Sequence, residues 1–292
     1  QTCALPILHN MNTIISANNV SKLYGDFHAL DNINMDIEPG RIIGLIGPNG
    51  AGKTTFLRCL LGLASYSGDL QVLGKSPSKK RVEMLHDVAF IADTAILPGW
   101  MTVLQVLEYT AGVHPKFNRK RAMLFLEKTD IILTKKIKTL SKGMITQLHL
   151  ALVVSIDAKL LVLDEPTLGL DVIYRKQFYE QLLNDYFDEQ RTIVITTHQV
   201  EEVEPLLTDL IFIQKGKIVL DKSMEQVGDD FFELEVHGDH ITSARELGPI
   251  YERSILGGVV MMFECGDREK AAEFGRLRNP SVVDLFVAKM SS

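Results

Sequence analysis

An α/β fold built around a mostly parallel β-sheet is what this 292-residue sequence predicts, on three observations. Two short apolar or β-branched runs, 160–163 and 192–196, have the composition of strands covered on both faces. A helix-length segment, 172–187, lies between them, and strand, helix, strand in that order closes as a right-handed parallel unit. A third apolar run, 42–46, enters a glycine-rich loop followed by helical spacing over 54–63.

The other elements follow in order. Runs 13–17 and 33–37 read as strands before the third run, with Tyr24-Gly25-Asp26 and Glu38-Pro39-Gly40 as turns. From about 93 to 157 the pattern becomes helical, with Thr102, Asn118 and Ser141 as caps for helices reaching 111, 128 and 156. Beyond 192–196 come a strand at 209–213, the turn Lys215-Gly216-Lys217 and a strand at 218–220. The remainder predicts strands at 231–236 and 258–264, helices near 242–247 and from Asp267, and a terminal helix opened by Pro280. The expected organisation is a main domain over 11–222, with a helical subdomain at about 93–157, and an accessory α+β segment over 223–292.

Composition narrows the function. A hydrophobic share of 46% supports a real core. The net charge, −6 from 31 basic and 37 acidic residues, argues against nucleic acid as a partner. Cys3, Cys59 and Cys265 are too scattered for a disulfide framework or a metal knuckle, and Cys59 reads as a packed residue. His237 and His240 form an H-x-x-H without further ligands nearby, so no metal is expected there. No uninterrupted apolar run reaches the ~18 residues of a transmembrane helix. Residues 1–10 lack a basic region and a long apolar stretch, and are expected to be a non-native leader ahead of Met11.

The chemistry lies in two motifs. Gly47-Pro48-Asn49-Gly50-Ala51-Gly52-Lys53-Thr54 stands between a predicted strand and a predicted helix, and Thr55 follows it. Glycines let such a loop wrap a phosphate with its N–H groups inward, at the positive end of a helix. Lys53 is expected to reach the terminal phosphates and Thr54 to hold Mg²⁺. The second motif is an apolar strand ending in Asp164-Glu165-Pro166. Asp164 is expected to serve the metal and Glu165 to polarise the attacking water.

With these motifs in place, residues 13–221 resemble the ATP-binding subunit of ABC transporters. The resemblance implies a P-loop NTPase core with an antiparallel β subdomain and a helical subdomain. It implies ATP and Mg²⁺ as ligands, with Tyr24 as the aromatic against adenine and His198 as a switch histidine on the γ-phosphate. Residues 167–171 look like the D-loop, with Leu168 where serine is usual. Leu140-Ser141-Lys142-Gly143-Met144 looks like the signature motif, so Ser141 and Gly143 are expected to contact ATP held by an opposite subunit. Asp93 stands where the family expects a glutamine near metal and water, and as an ionised carboxylate it donates no hydrogen bond. Lys142 replaces a glycine, placing a cation near the opposite subunit's phosphates or on the surface. The Ser-Lys-Gly-Met form, with Trp100-Met-Thr-Val103 and the run 282–287, resembles the bacterial exporter and antibiotic-resistance subset.

The expected function is therefore ATP hydrolysis by Glu165, His198 and Lys53 in a head-to-tail dimer. Two such subunits, alike or related, are expected to drive transport, in the direction of export, through a separate transmembrane permease. The chain is then cytoplasmic and peripheral on the inner face of the membrane. Residues 95–102, with Ile96, Leu97 and Trp100, are the expected contact with that partner. The alternative is a soluble ATPase of the same family that assembles or remodels a complex.

Overall fold

The computed structural model describes residues 13–92, 97–168, 170–188 and 190–291. The expected leader and Asp93 lie outside them.

The chain opens with the antiparallel pair β1 (Ile15–Tyr24) and β2 (Phe27–Ile37), turned at Gly25. Then follow β3 (Ile42–Ile46), α1 (Lys53–Leu60), β4 (Ser67–Val72), α2 (Arg81–Leu85) and β5 (Val88–Ile91). The helical stretch holds α3 (Val103–Val113), α4 (Arg119–Leu126) and α5 (Lys142–Val154). Next come β6 (Leu160–Asp164), α6 (Val172–Asp185), β7 (Thr192–Thr197), α7 (Val200–Val203), β8 (Asp209–Gln214) and β9 (Lys217–Ser223). The last part contains α8 (Met224–Asp230), β10 (Phe231–His237), α9 (His240–Arg245), β11 (Tyr251–Ile255), β12 (Gly258–Glu264), α10 (Arg268–Ala272), β13 (Arg276–Arg278) and α11 (Val282–Ser291).

Six strands form the central sheet in the order β5-β6-β7-β3-β8-β9, parallel except for β9. Side chains alternate between its two covered faces. Ile42, Ile46, Leu161, Leu163, Leu210 and Phe212 join the helices on one side. Ile43, Leu45, Leu160, Val162, Ile211 and Ile213 join α1 and the antiparallel sheet β2-β1-β4 on the other. Such double burial is why these strands read as continuous apolar runs. A third sheet, β11-β12-β10-β13, packs Phe232, Leu234 and Met261 among residues of α9 and α10. Its other face sends Phe231 and Met262 into the main core, where α11 adds Val282, Leu285 and Ala288.

Several boundaries differ from expectation for local reasons. β1 runs on to Tyr24 and β2 starts at Phe27, because both pass through irregular pairings at Asn19 and Asn32 that break the apolar alternation. α1 stops at Leu60, since Gly62 takes a left-handed φ of +67°. β4, β5, β11 and β13 were not expected as strands. They are short, β4, β11 and β13 are largely polar, and their neighbours hold them in register. Among the described residues no helix is long and apolar enough to cross a membrane.

Candidate active site

Loops leaving the carboxyl ends of β3, β6 and β7 meet at one edge of the central sheet, where open α/β sheets receive ligands. They line a cleft of about 620 Å³ together with the first hairpin. Tyr24, Asn49, Gly50, Ala51, Gly52, Lys53, Thr54, Thr55, Glu165 and His198 all border it. Gly47 and Pro48 sit behind the lining, where their carbonyls accept Lys53 Nζ at 2.6 and 3.3 Å.

Two glycines of this loop are dictated by space. At Gly47 a Cβ would stand 2.3 Å from the Ile213 carbonyl oxygen. At Gly52 the φ is +114° and a Cβ would stand 2.6 Å from the Ala29 oxygen. The loop is thus pressed against its neighbours, its concave side left to the cleft. Gly52 then leads directly into α1, whose first turn has free N–H groups.

Lys53 is only 7% exposed. Burial lowers the pKa of its ammonium, while the negative charges of Glu165 and Asp164 act in the opposite sense. Asp164, at the end of β6, is buried and pairs in register with Thr196 of β7. Its Oδ1 accepts the Thr196 hydroxyl at 2.6 Å and the Thr54 hydroxyl at 3.4 Å. These hard oxygen donors beside a phosphate loop suit a small divalent cation.

Glu165 adopts a left-handed φ of +49°. Its N–H bonds to the Thr196 carbonyl at 3.1 Å and hydroxyl at 3.2 Å. That turn swings the carboxylate out of the strand line and toward His198, whose Nδ1 lies 2.8 Å from Glu165 Oε2. The His198 N–H also donates to the same oxygen at 3.3 Å. Strain of this kind, about 1–3 kcal/mol, persists where surrounding bonds over-determine it.

Ser141 and Gly143 do not border this cleft. Ser141 caps α5 by accepting the Met144 N–H at 3.2 Å, and Lys142 beside it is exposed. Gly143 lies near the Tyr174 ring of α6. Asp171 caps α6 through the N–H groups of Ile173 and Tyr174. Of the expected partner contact, Trp100 is 71% exposed, Ile96 lies outside the described residues, and Leu97 packs on the helical core instead of facing out.

Two site residues escaped the sequence reading. Phe27 borders the cleft and pairs in register with Tyr24; its signal was an aromatic three positions on, across a glycine turn. Thr196 links both carboxylates, and only its place on the strand before His198 hinted at this.

Comparison with known proteins gives a consistent result. The family model described as "ABC transporter" matches residues 30–168. The Nod factor export ATP-binding protein I of Cupriavidus metallidurans is 34% identical over 265 residues, spanning 87% of this chain and 86% of that one. The bacitracin transport ATP-binding protein BcrA of Bacillus licheniformis is 33% identical over 214 residues, spanning 72% and 69%. A solved structure of an ATP-binding subunit of an ABC transporter superposes with a TM-score of 0.68 at 21% identity, covering 74% of this chain and 92% of that one.

Proposed function

The chain belongs to the ABC transporter ATP-binding family and is an ATPase, and from that premise we propose that it powers export through a separate membrane-spanning permease. It does so as one half of a head-to-tail pair of ATP-binding subunits, on the cytoplasmic face of the membrane. The observation that carries the reading is the convergence of the phosphate loop, Glu165 and His198 on a single cleft, with Asp164 buried directly behind it on the Thr54 hydroxyl.

Each residue has a role set by its chemistry. The backbone N–H groups of residues 47–55 cradle the phosphates, and Tyr24 offers an aromatic face to the base. Lys53 releases the loop carbonyls and turns its charge to the terminal phosphates. Mg²⁺, when bound by Thr54 and Asp164, neutralises phosphate charge. Asp93 keeps the metal contact that the family resemblance implies for its position. Glu165 orients and deprotonates the attacking water, and His198 answers the γ-phosphate. Ser141 and Gly143 face the nucleotide of the opposite subunit, which accounts for their absence from this chain's own cleft. Export as the direction follows the naming of the Nod factor relative, and the exposure of Trp100 supports a permease contact on that side.

Glu165→Gln tests the chemistry. It preserves size and strand context but removes the base, so turnover should fall by about 10²–10⁴, the usual worth of general base catalysis. ATP binding should persist and an ATP-dependent dimer should accumulate on size exclusion. Turnover like that of the unaltered protein would refute the base assignment. Affinity capture from native membranes tests the partner: a polytopic membrane protein should co-purify, and recovery only in soluble complexes would overturn the transport reading.

A further inference from the structure

We infer that Arg175 is a positioning residue for hydrolysis: it clamps the turn after Glu165 to the segment after His198, so that both sides of the γ-phosphate seat are held by one guanidinium. The inference rests on the roles given above to Glu165 and His198.

Arg175 stands in the first turns of α6, and its side chain is 18% exposed. Its Nε donates to the Leu170 carbonyl at 2.7 Å, and Nη1 donates to Glu202 Oε1 at 2.6 Å. Leu170 is buried in the turn that leaves Glu165, with its N–H on the Thr167 carbonyl at 3.1 Å. Thr167 is itself buried and pairs with the Tyr179 hydroxyl at 3.2 Å. Glu202 belongs to α7, which begins two residues after His198. One planar fork therefore joins the two segments whose outer ends carry Glu165 and His198.

This is not an ordinary surface ion pair, which contributes little. The other Glu202 oxygen, Oε2, is buried without a hydrogen-bond partner among the described residues. The Glu202 side chain is 26% exposed overall, and Arg175 is its one ion-pair partner among the described residues, so removing Arg175 leaves a partly buried carboxylate without a cation. Nor can α7 slide off to relieve it. Just beyond, Glu204 Oε1 accepts the Val282 N–H of α11 at 3.0 Å. Lysine cannot reproduce the clamp, because a single ammonium does not hold two divergent N–H donors in one fixed plane.

The test is steady-state ATPase kinetics of the full chain carrying Arg175→Ala, Glu202→Gln, both together, and His198→Ala for reference. Arg175→Ala and Glu202→Gln should each lower kcat about tenfold, as for a lost charge-assisted hydrogen bond that orients a reacting group. KM for MgATP should not change, since neither residue borders the cleft. The double variant should be no worse than Arg175→Ala, because both act through one clamp. Losses that multiply, a raised KM with kcat intact, or an Arg175→Ala kcat within about twofold of the unaltered protein would each overturn the inference. If Arg175→Ala fails to fold, as judged by its melting transition, Arg175→Lys and Glu202→Gln carry the same expectation. His198→Ala with full turnover would instead refute the switch assignment. Loss of turnover in His198→Ala alone would leave that assignment standing and sink only the role of Arg175.

Discussion

Phe27 and Tyr24 face each other across the first hairpin, 63% and 47% exposed at the rim of the cleft. Large apolar side chains left open beside a candidate nucleotide site are available to stack on a base. Tyr24 already has Lys22 Nζ 4.8 Å from its ring centroid, which fixes one side of that ring. Phe27→Ala should therefore raise KM for ATP at least about fivefold, the order of one base–aromatic stack, with kcat unchanged. A nucleotide titration by calorimetry checks it, and affinity unaltered by the substitution would assign Phe27 to the hairpin alone. Phe27 also marks where a linear reading of the site ends. Lys53, Thr54, Asp164 and Glu165 were legible because each motif packs its chemistry into one loop or one strand end. Phe27 and Thr196 join the site only through pairing with Tyr24 and Asp164, a relation that register creates and spacing along the chain does not.

At the scale of elements, α5 carries Ser141 as its cap, Gly143 in its first turn and His149 along its middle. Among the described residues His149 Nε2 is buried without a hydrogen-bond partner, and burial holds the imidazole below its ordinary pKa of 6.5. His114, at the end of α3, is lowered mainly by burial too. A depressed folded pKa means that the unfolded chain binds the proton first as pH falls. Stability from these neutral rings is fully present above 6.5 and is lost as pH drops through the folded value. The urea midpoint should thus decline between about pH 7.5 and 5.5, and His149→Leu should shrink that decline while leaving the part due to His114. An equal decline in the variant would clear His149 of the effect. The helices here were readable because Thr102, Asn118 and Ser141 each stand before a periodic run and each accepts an N–H from the first turn. Short strands such as β4 and β13 offered no comparable mark, being polar and held by neighbours far along the chain.

The whole molecule is closed by its last helix. From composition alone the segment over 223–292 reads as an appendage, yet α11 returns to the main body. Ser281 caps it by accepting the Asp284 N–H at 3.0 Å, and Asp284 pairs with Arg253 of β11 at 3.2 Å. Phe286 meets Phe212 of β8 edge to face at 5.2 Å. Val282, Leu285 and Ala288 are buried in the same cluster as Leu163 and Ile195 of the central sheet. Two units sharing one core should lose it together. Leu285→Ala leaves a cavity worth about 2–5 kcal/mol, a large part of the ~5–15 kcal/mol that holds a typical chain folded. That loss should be felt across the shared interface: hydrogen exchange of amides in β3, β6 and β8 should quicken, and far-UV dichroism should still show one unfolding transition at a lower midpoint. The contrary outcome is equally readable. Faster exchange confined to β10–β13, with the amides of the central sheet as protected as before, would mean that the C-terminal segment folds apart and that α11 only rests on the ATPase core.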